Sequence, residues 1–175
     1  QSLAIEGLES LSTDVLVRQA AVESWRLGAT SPTRQLIALA QTDDDELRWR
    51  IAFALGQSRA PTAGPTLLAA LQDKHPLVRL YAAKALTASF VATAGLEPGS
   101  VIQLLVQGAH DEHPGVRINA LRSLGTYRQP QIADLIVPQL ADPTPNVQVA
   151  AAGAVAQSGG SVAVAQLARI VREGK

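Results

Sequence analysis

Apolar residues recur along this chain in one stripe, spoken five times. Val17, Ala21 and Trp25 frame Arg18, and Leu47, Ile51 and Leu55 frame Arg48 in the same way. The pattern returns as Val78, Ala82 and Leu86 with Arg79, as Val116, Ala120 and Leu124 with Arg117, and as Val147, Ala151 and Val155 with Gln148. Positions one before, three after and seven after the Arg lie on a single face of a 3.6-residue helix. Successive copies are 30, 31, 38 and 31 residues apart. Self-similarity at such a period predicts a stacked array, in which each unit buries its apolar face only against its neighbours.

Each unit resolves into two helical stretches, and the stripe belongs to the second, here called the B helix. Several B helices open on an acidic residue followed by Pro: Asp73 and Pro76, Asp111 and Pro114, Asp142 and Pro143 with Pro145. Proline near the first helical turn forfeits no hydrogen bond, so this is a helix-start signal. Gly56 and Gly125, eight residues after the Arg, are expected to end their helices. The first, or A, helices fill the gaps at about 3–10, 33–41, 63–72, 99–109 and 131–141, and a last helix is expected at about 161–172. The spacing divides the chain into repeats at about 2–29, 30–60, 61–97, 98–129 and 130–160, with a terminal helix at 161–173. The third repeat is seven residues longer than its neighbours, and the excess at 87–100 reads as an extended B helix ending near Gly95, followed by a turn at Pro98-Gly99. The fifth departs from the pattern at Gln148 and Gly153, as terminal repeats often do. The fold expected is an all-α solenoid of about five helix pairs plus a terminal helix.

Composition narrows the function more than the fold. Of the 175 residues 47% are hydrophobic but only 3% aromatic, so the apolar mass is Ala, Leu, Val and Ile, suited to close helix packing. Lys plus Arg and Asp plus Glu are 15 each, giving a formal net charge of zero, which argues against general nucleic-acid binding. No polybasic run addresses a membrane surface, and no apolar stretch reaches the roughly 18–20 residues needed to span a bilayer. The absence of Cys excludes disulfides and thiolate metal sites. Met is absent too, so a leader has been removed or the chain is a piece of a longer protein. Compartment and oligomeric state are open.

The phrase carried by Asp73, Pro76, Val78, Arg79, Ala82, Ala85 and Leu86, and again by Asp111, Pro114, Val116, Arg117, Ala120, Ser123, Leu124 and Gly125, resembles the HEAT repeat. Its short period is similar to that of the bacterial HEAT-like subclass that includes phycobilin lyases. The resemblance implies that the B helices line a concave side. It also implies a structural ladder between repeats, with Arg18, Arg48, Arg79 and Arg117 as its arginines and Asp73, Asp111 and Asp142 as partners. A fold of this kind does not by itself name a function.

Candidate chemistry is sparse. His110, Asp111, Glu112 and His113 form a polar cluster, with His75 at the repeat position of His113. Metal-binding HEAT hydroxylases carry repeated His-Glu pairs, and this chain has no His-Glu dipeptide; the cluster reads as a turn between helices, and no metal or other cofactor is expected. Nucleophilic catalysis needs a Ser or Cys with a base and an orienting group, and the three His lie in turns along one edge. The Gly-rich segment 153–160 lacks the Lys and spacing of a phosphate loop. Asp43, Asp44 and Asp45 precede a helix and suit its positive end. No enzyme signature emerges.

One pattern points elsewhere. The B-helix positions one, two and five after the Arg lie off the buried stripe and carry Trp49, Arg50 and Phe53 in repeat 2, Leu80, Tyr81 and Lys84 in repeat 3, and Ile118, Asn119 and Arg122 in repeat 4. Three of six aromatic residues fall in this window. Trp49 and Phe53 share a face, and large amphipathic rings flanked by Arg make binding hot spots. The competing reading is that the rings fill gaps between repeats. Trp49, Arg50, Phe53, Leu80, Tyr81, Lys84, Ile118 and Arg122 are the partner-binding candidates, and another protein or a peptide is the partner. The sequence reads as a non-catalytic interaction scaffold that binds its partner on its concave face. Two alternatives stand beside it: a bilin lyase-like chaperone for a chromophore or its acceptor, and an accessory array of a larger enzyme such as a cyclophilin-type prolyl isomerase.

Overall fold

The computed structural model describes residues 33–159 together with Ala165, Ala168, Arg169 and Arg172. The first expected repeat, with Arg18 and the A helix at 3–10, lies outside the described residues, as does most of the expected terminal helix. Among the described residues all regular structure is helical.

Four helix pairs follow one another. Helix α1 (Thr33–Leu39) pairs with α2 (Asp45–Ser58), and α3 (Gly64–Ala70), led by a 3-10 turn at Pro61–Ala63, pairs with α4 (Pro76–Ala85). After a short inserted helix α5 (Ala88–Thr93), α6 (Pro98–Gly108) pairs with α7 (Pro114–Gly125). Helix α8 (Pro130–Ile136), continued by a 3-10 turn at Val137–Ala141, pairs with α9 (Pro145–Ser158). The B helices α2, α4, α7 and α9 stack in a row, each against the next, and each A helix packs on its own B helix. The repeated stripe is what they bury: Leu47, Ile51 and Leu55, then Val78, Ala82 and Leu86, then Val116, Ala120 and Leu124, then Val147, Ala151 and Val155. Leu36, Leu67, Leu105 and Ile136 face them from the A helices, so a single continuous core runs along the array. This is an all-α solenoid.

Local chemistry sets the helix ends. Asp44 caps α2 by accepting from the amides of Glu46 (3.0 Å) and Leu47 (3.2 Å). In the later B helices the cap position is the residue just before Pro: His75, His113 and Thr144. The Asp two residues earlier accepts from the amide of that residue, at 2.8 Å in all three repeats. The acidic residue thus braces the turn rather than capping the helix.

Three sequence expectations need correction. The extended B helix of repeat 3 is broken at Leu86 and Thr87, and a separate helix starts there with Thr87 as its cap. The next repeat supplies what the break loses: the Tyr127 hydroxyl donates to the Leu86 carbonyl (3.0 Å), and the Ala88 amide donates to Thr126 Oγ1 (2.9 Å). Pro98 and Gly99 are not a turn but the first residues of α6, capped by Glu97, whose carboxylate accepts from Gly99 and Ser100. The helix expected at 131–141 tightens to 3-10 from Val137, because Pro138 has no amide to donate into an α-helix.

Gly56 does not end its helix, which runs on to Ser58, while Gly125 is the last residue of α7. They sit where neighbouring B helices come closest. A Cβ on Gly56 would meet Ala85 Cβ at 3.0 Å, and one on Gly125 would meet Ala154 Cα at 2.9 Å.

Candidate functional site

The ladder positions form one edge of the array. Arg48 grips Asp73 with two parallel hydrogen bonds, Nε to Oδ2 at 2.9 Å and Nη2 to Oδ1 at 3.1 Å. Arg79 holds Asp111 at 2.7 and 2.9 Å, and Arg117 holds Asp142 at 2.9 and 3.0 Å. In each rung Nη1 turns back to its own repeat and donates to a loop carbonyl: Thr42, Asp73 or Asp111. One guanidinium therefore ties its own A–B loop to the loop of the next repeat. Burial alone would raise the Asp111 and Asp142 carboxyls, but hydrogen bonds from Arg79 and Arg117, with the His113 and Thr144 amides, bring both below their ordinary value. Gln148 keeps half the device, its side-chain amide donating to the Asp142 carbonyl at 2.7 Å. The rung from Arg79 to Asp111 has the geometry of the others although the insertion lies between its ends. The extra residues leave the stacking intact.

The binding candidates lie on a different flank of the B helices. Trp49 and Tyr81, from successive B helices, stack with centroids 5.6 Å apart and planes 23° from parallel. Phe53 meets Tyr81 edge-on, at 5.0 Å and 76°. All three rings are half-buried, and both arrangements suit the ring quadrupole. The structure thus brings together three residues that the sequence only set in one window of the B helices.

Arg50 packs against the ring cluster. Its guanidinium lies 4.4 Å from the centre of the Trp49 ring and is tied to Glu46 at 2.6 Å. The same Glu46 accepts from the Trp49 indole at 3.1 Å. Hydrogen bonds from Arg50 first, then from Trp49, hold the Glu46 carboxyl below its ordinary range. Glu46 is therefore a bracket for the ring cluster, one turn back on α2, and its i, i+4 relation to Arg50 is the sequence signal that marks it.

Leu80 is half-buried against the start of α7, where a Cβ on Gly115 would meet its Cδ1 at 2.8 Å. Ile118 packs against the core. Lys84 and Arg122 are exposed, and neither has an ion-pair partner among the described residues. The larger cavity, about 210 Å³, lies behind α2 among Leu55, Leu67 and Val78, with the paired Arg48 and Asp73 at its wall. His110 and His113 engage local backbone, through Val106 O and the Gly115 amide. Among the described residues no group of three His, Asp or Glu side chains could hold a metal ion. No described helix is long and apolar enough to cross a membrane.

Comparison with known proteins places the fold. The family model for HEAT repeats matches residues 33–95 and 102–175, and the chain belongs to the HEAT repeat family. Two crystal structures of engineered proteins superpose over nearly all of it. One has a TM-score of 0.72 at 19% identity, covering 97% of this chain and 86% of its own, and the other 0.69 at 19%, covering 99% and 85%. Human deoxyhypusine hydroxylase in complex with glycerol aligns at a TM-score of only 0.40 and 16% identity, over 99% of this chain and 88% of its own. No curated protein matches the sequence. The fold so defined is generally non-catalytic, and arrays of this family commonly bind proteins.

Proposed function

We propose that this array is a non-catalytic interaction scaffold that takes a protein or peptide partner on the flank of its central B helices. Trp49, Phe53 and Tyr81 form the centre, Arg50 is oriented beside them by Glu46, Leu80 and Ile118 extend the apolar area, and Lys84 and Arg122 supply free charge. Arg48, Arg79 and Arg117, with Asp73, Asp111 and Asp142, hold the repeats in register behind this flank.

The observation that carries the reading is the ring cluster itself. It is half-exposed, and the joint between repeats 4 and 5 stacks without such a cluster, on buried Val, Ala and Leu side chains, Gly125 and the Arg117–Asp142 pair. Clustered exposed apolar area of this kind marks interaction sites, and aromatic and Arg side chains supply most of the affinity in protein interfaces. The test is affinity capture of partners by the intact chain and by Trp49→Ala and Tyr81→Ala, with circular dichroism run in parallel. Loss of a partner from folded variants is the expected result. Unchanged capture by folded variants sinks the proposal, and so does unfolding of both, which would assign the rings to the core.

A further inference from the structure

The inserted helix α5 does something that neither the ladder nor the ring cluster uses. It closes one side of a recess of about 110 Å³ whose other walls are the end of α2 and the outer face of α4. Phe53, Tyr81 and Phe90 supply its apolar lining, and Arg59 and Lys84 stand at its rim. The bonds from Thr126 and Tyr127 at the start of α5 make this wall a fixed part of the array.

Two observations bear on the rim. First, among the described residues neither Arg59 nor Lys84 has a carboxylate partner, whereas Arg48, Arg50, Arg79 and Arg117 are all paired. Second, Arg59 occupies a left-handed backbone position, φ 49°. The same register holds Arg128 at φ 52° and Gly159 at φ 74°. Glycine adopts this conformation without steric cost, and a residue with a Cβ does not. Arg128 shares the register, the conformation and the lack of an ion pair, so what is particular to Arg59 is its place on the aromatic recess beside Lys84.

We propose that this recess is a docking pocket for an acidic peptide: one apolar side chain enters between Phe53, Tyr81 and Phe90, and carboxylates on either side of it are held by Arg59 and Lys84. The proposal rests on the reading of the B-helix flank as an interaction surface and names the chemistry of what binds there. Charge complementarity is the argument, since two unpaired cations on one rim attract carboxylates and repel basic segments. Size agrees: the volume is well below the roughly 300 Å³ at which small-molecule sites begin, and fits a side chain better than a cofactor.

The probe is a library of random short peptides displayed on phage and selected against the intact chain, with the selected peptides then titrated by fluorescence anisotropy. Peptides enriched in Asp and Glu around an apolar residue are expected, with binding weakened by salt. Affinity should fall about tenfold or more in Lys84→Glu and fall in Arg59→Gly, a variant that relieves the left-handed arginine and so should keep its thermal midpoint. Selected peptides that are neutral or basic, acidic peptides indifferent to both variants, or no selected peptide overturn the proposal. Peptides lost on Tyr81→Ala but indifferent to Arg59→Gly and Lys84→Glu overturn the acidic assignment while leaving the interaction flank standing. Peptides that ignore Trp49→Ala and Tyr81→Ala as well bring down both.

Discussion

The joint between repeats 2 and 3 and the joint between repeats 4 and 5 share two devices and differ in a third. Each has an arginine with a two-pronged hold on the aspartate of the next loop, Arg48 on Asp73 and Arg117 on Asp142. Each has a helical glycine that lets the B helices close, Gly56 against Ala85 and Gly125 against Ala154. Only the first joint adds rings, with Trp49 and Phe53 on Tyr81. At the second, the residue in the register of Trp49 and Leu80 is Val149, 72% exposed. The joint without rings stacks as closely as the joint with them. Stacking at that joint therefore rests on the buried apolar stripe, the charge pair and the glycine, and the rings at the other joint call for a reason outside it.

The sharpest way to break this comparison is at the shared ladder. Arg48→Ala and Arg117→Ala should each cost about 3 kcal/mol in urea unfolding, because a nearly buried carboxylate loses two charge-assisted bonds and is left unpaired. Similar losses at the two joints are expected, and a loss confined to one would show that the joints are not built alike. The ladder also predicts acid sensitivity. Asp111 and Asp142 titrate below the ordinary aspartate value of 3.8 when folded. Their contribution is therefore complete above that value and is lost as pH falls through the lowered folded-state values. Unfolding midpoints measured down a pH series should drop in that acid range, and Arg117→Ala should flatten the part due to Asp142.

The glycine contact is the next largest effect. Gly125→Ala should destabilise by about 2 kcal/mol, since the new Cβ meets the backbone of Ala154 and overpacking outweighs the gain in helix propensity. A neutral result in the same unfolding assay would remove glycine from the list of shared devices. Tyr127→Phe should cost about 1 kcal/mol by stripping the Leu86 carbonyl of its donor, with faster hydrogen exchange in α5 as the local readout. Protection unchanged in α5 would show that repeat 4 does not hold the insertion. The smallest change has the opposite sign. Gly153 is exposed within α9, and a Cβ there would meet nothing within 4 Å, so Gly153→Ala should stabilise by about 0.5–1 kcal/mol.

The periodic stripe made the array legible in the sequence, because burial at helical spacing is written directly into residue type. The placing of Trp49, Phe53 and Tyr81 off the buried stripe was legible for the same reason. Glu46 was within reach of sequence reasoning, since its spacing to Arg50 is a standard helix-surface pair. Arg59 and Phe90 were not singled out. The one available signal for Arg59 was its alignment with Gly159 eleven positions after Gln148, a glycine standing in the register of two arginines.

What the sequence by itself determined is the fold class, the two-helix unit and the residues of the core, all consequences of local spacing and of which side chains leave water. Tertiary structure alone decided where α4 stops, because the groups that satisfy Leu86 and Ala88 belong to Thr126 and Tyr127 in the next repeat. It alone decided that Gly56 and Gly125 serve helix contact, because the reason for a missing Cβ is an atom on another helix. The recess was beyond sequence reasoning for the same cause: its walls come from α2, α4 and α5, and their distances depend on how the repeats stack.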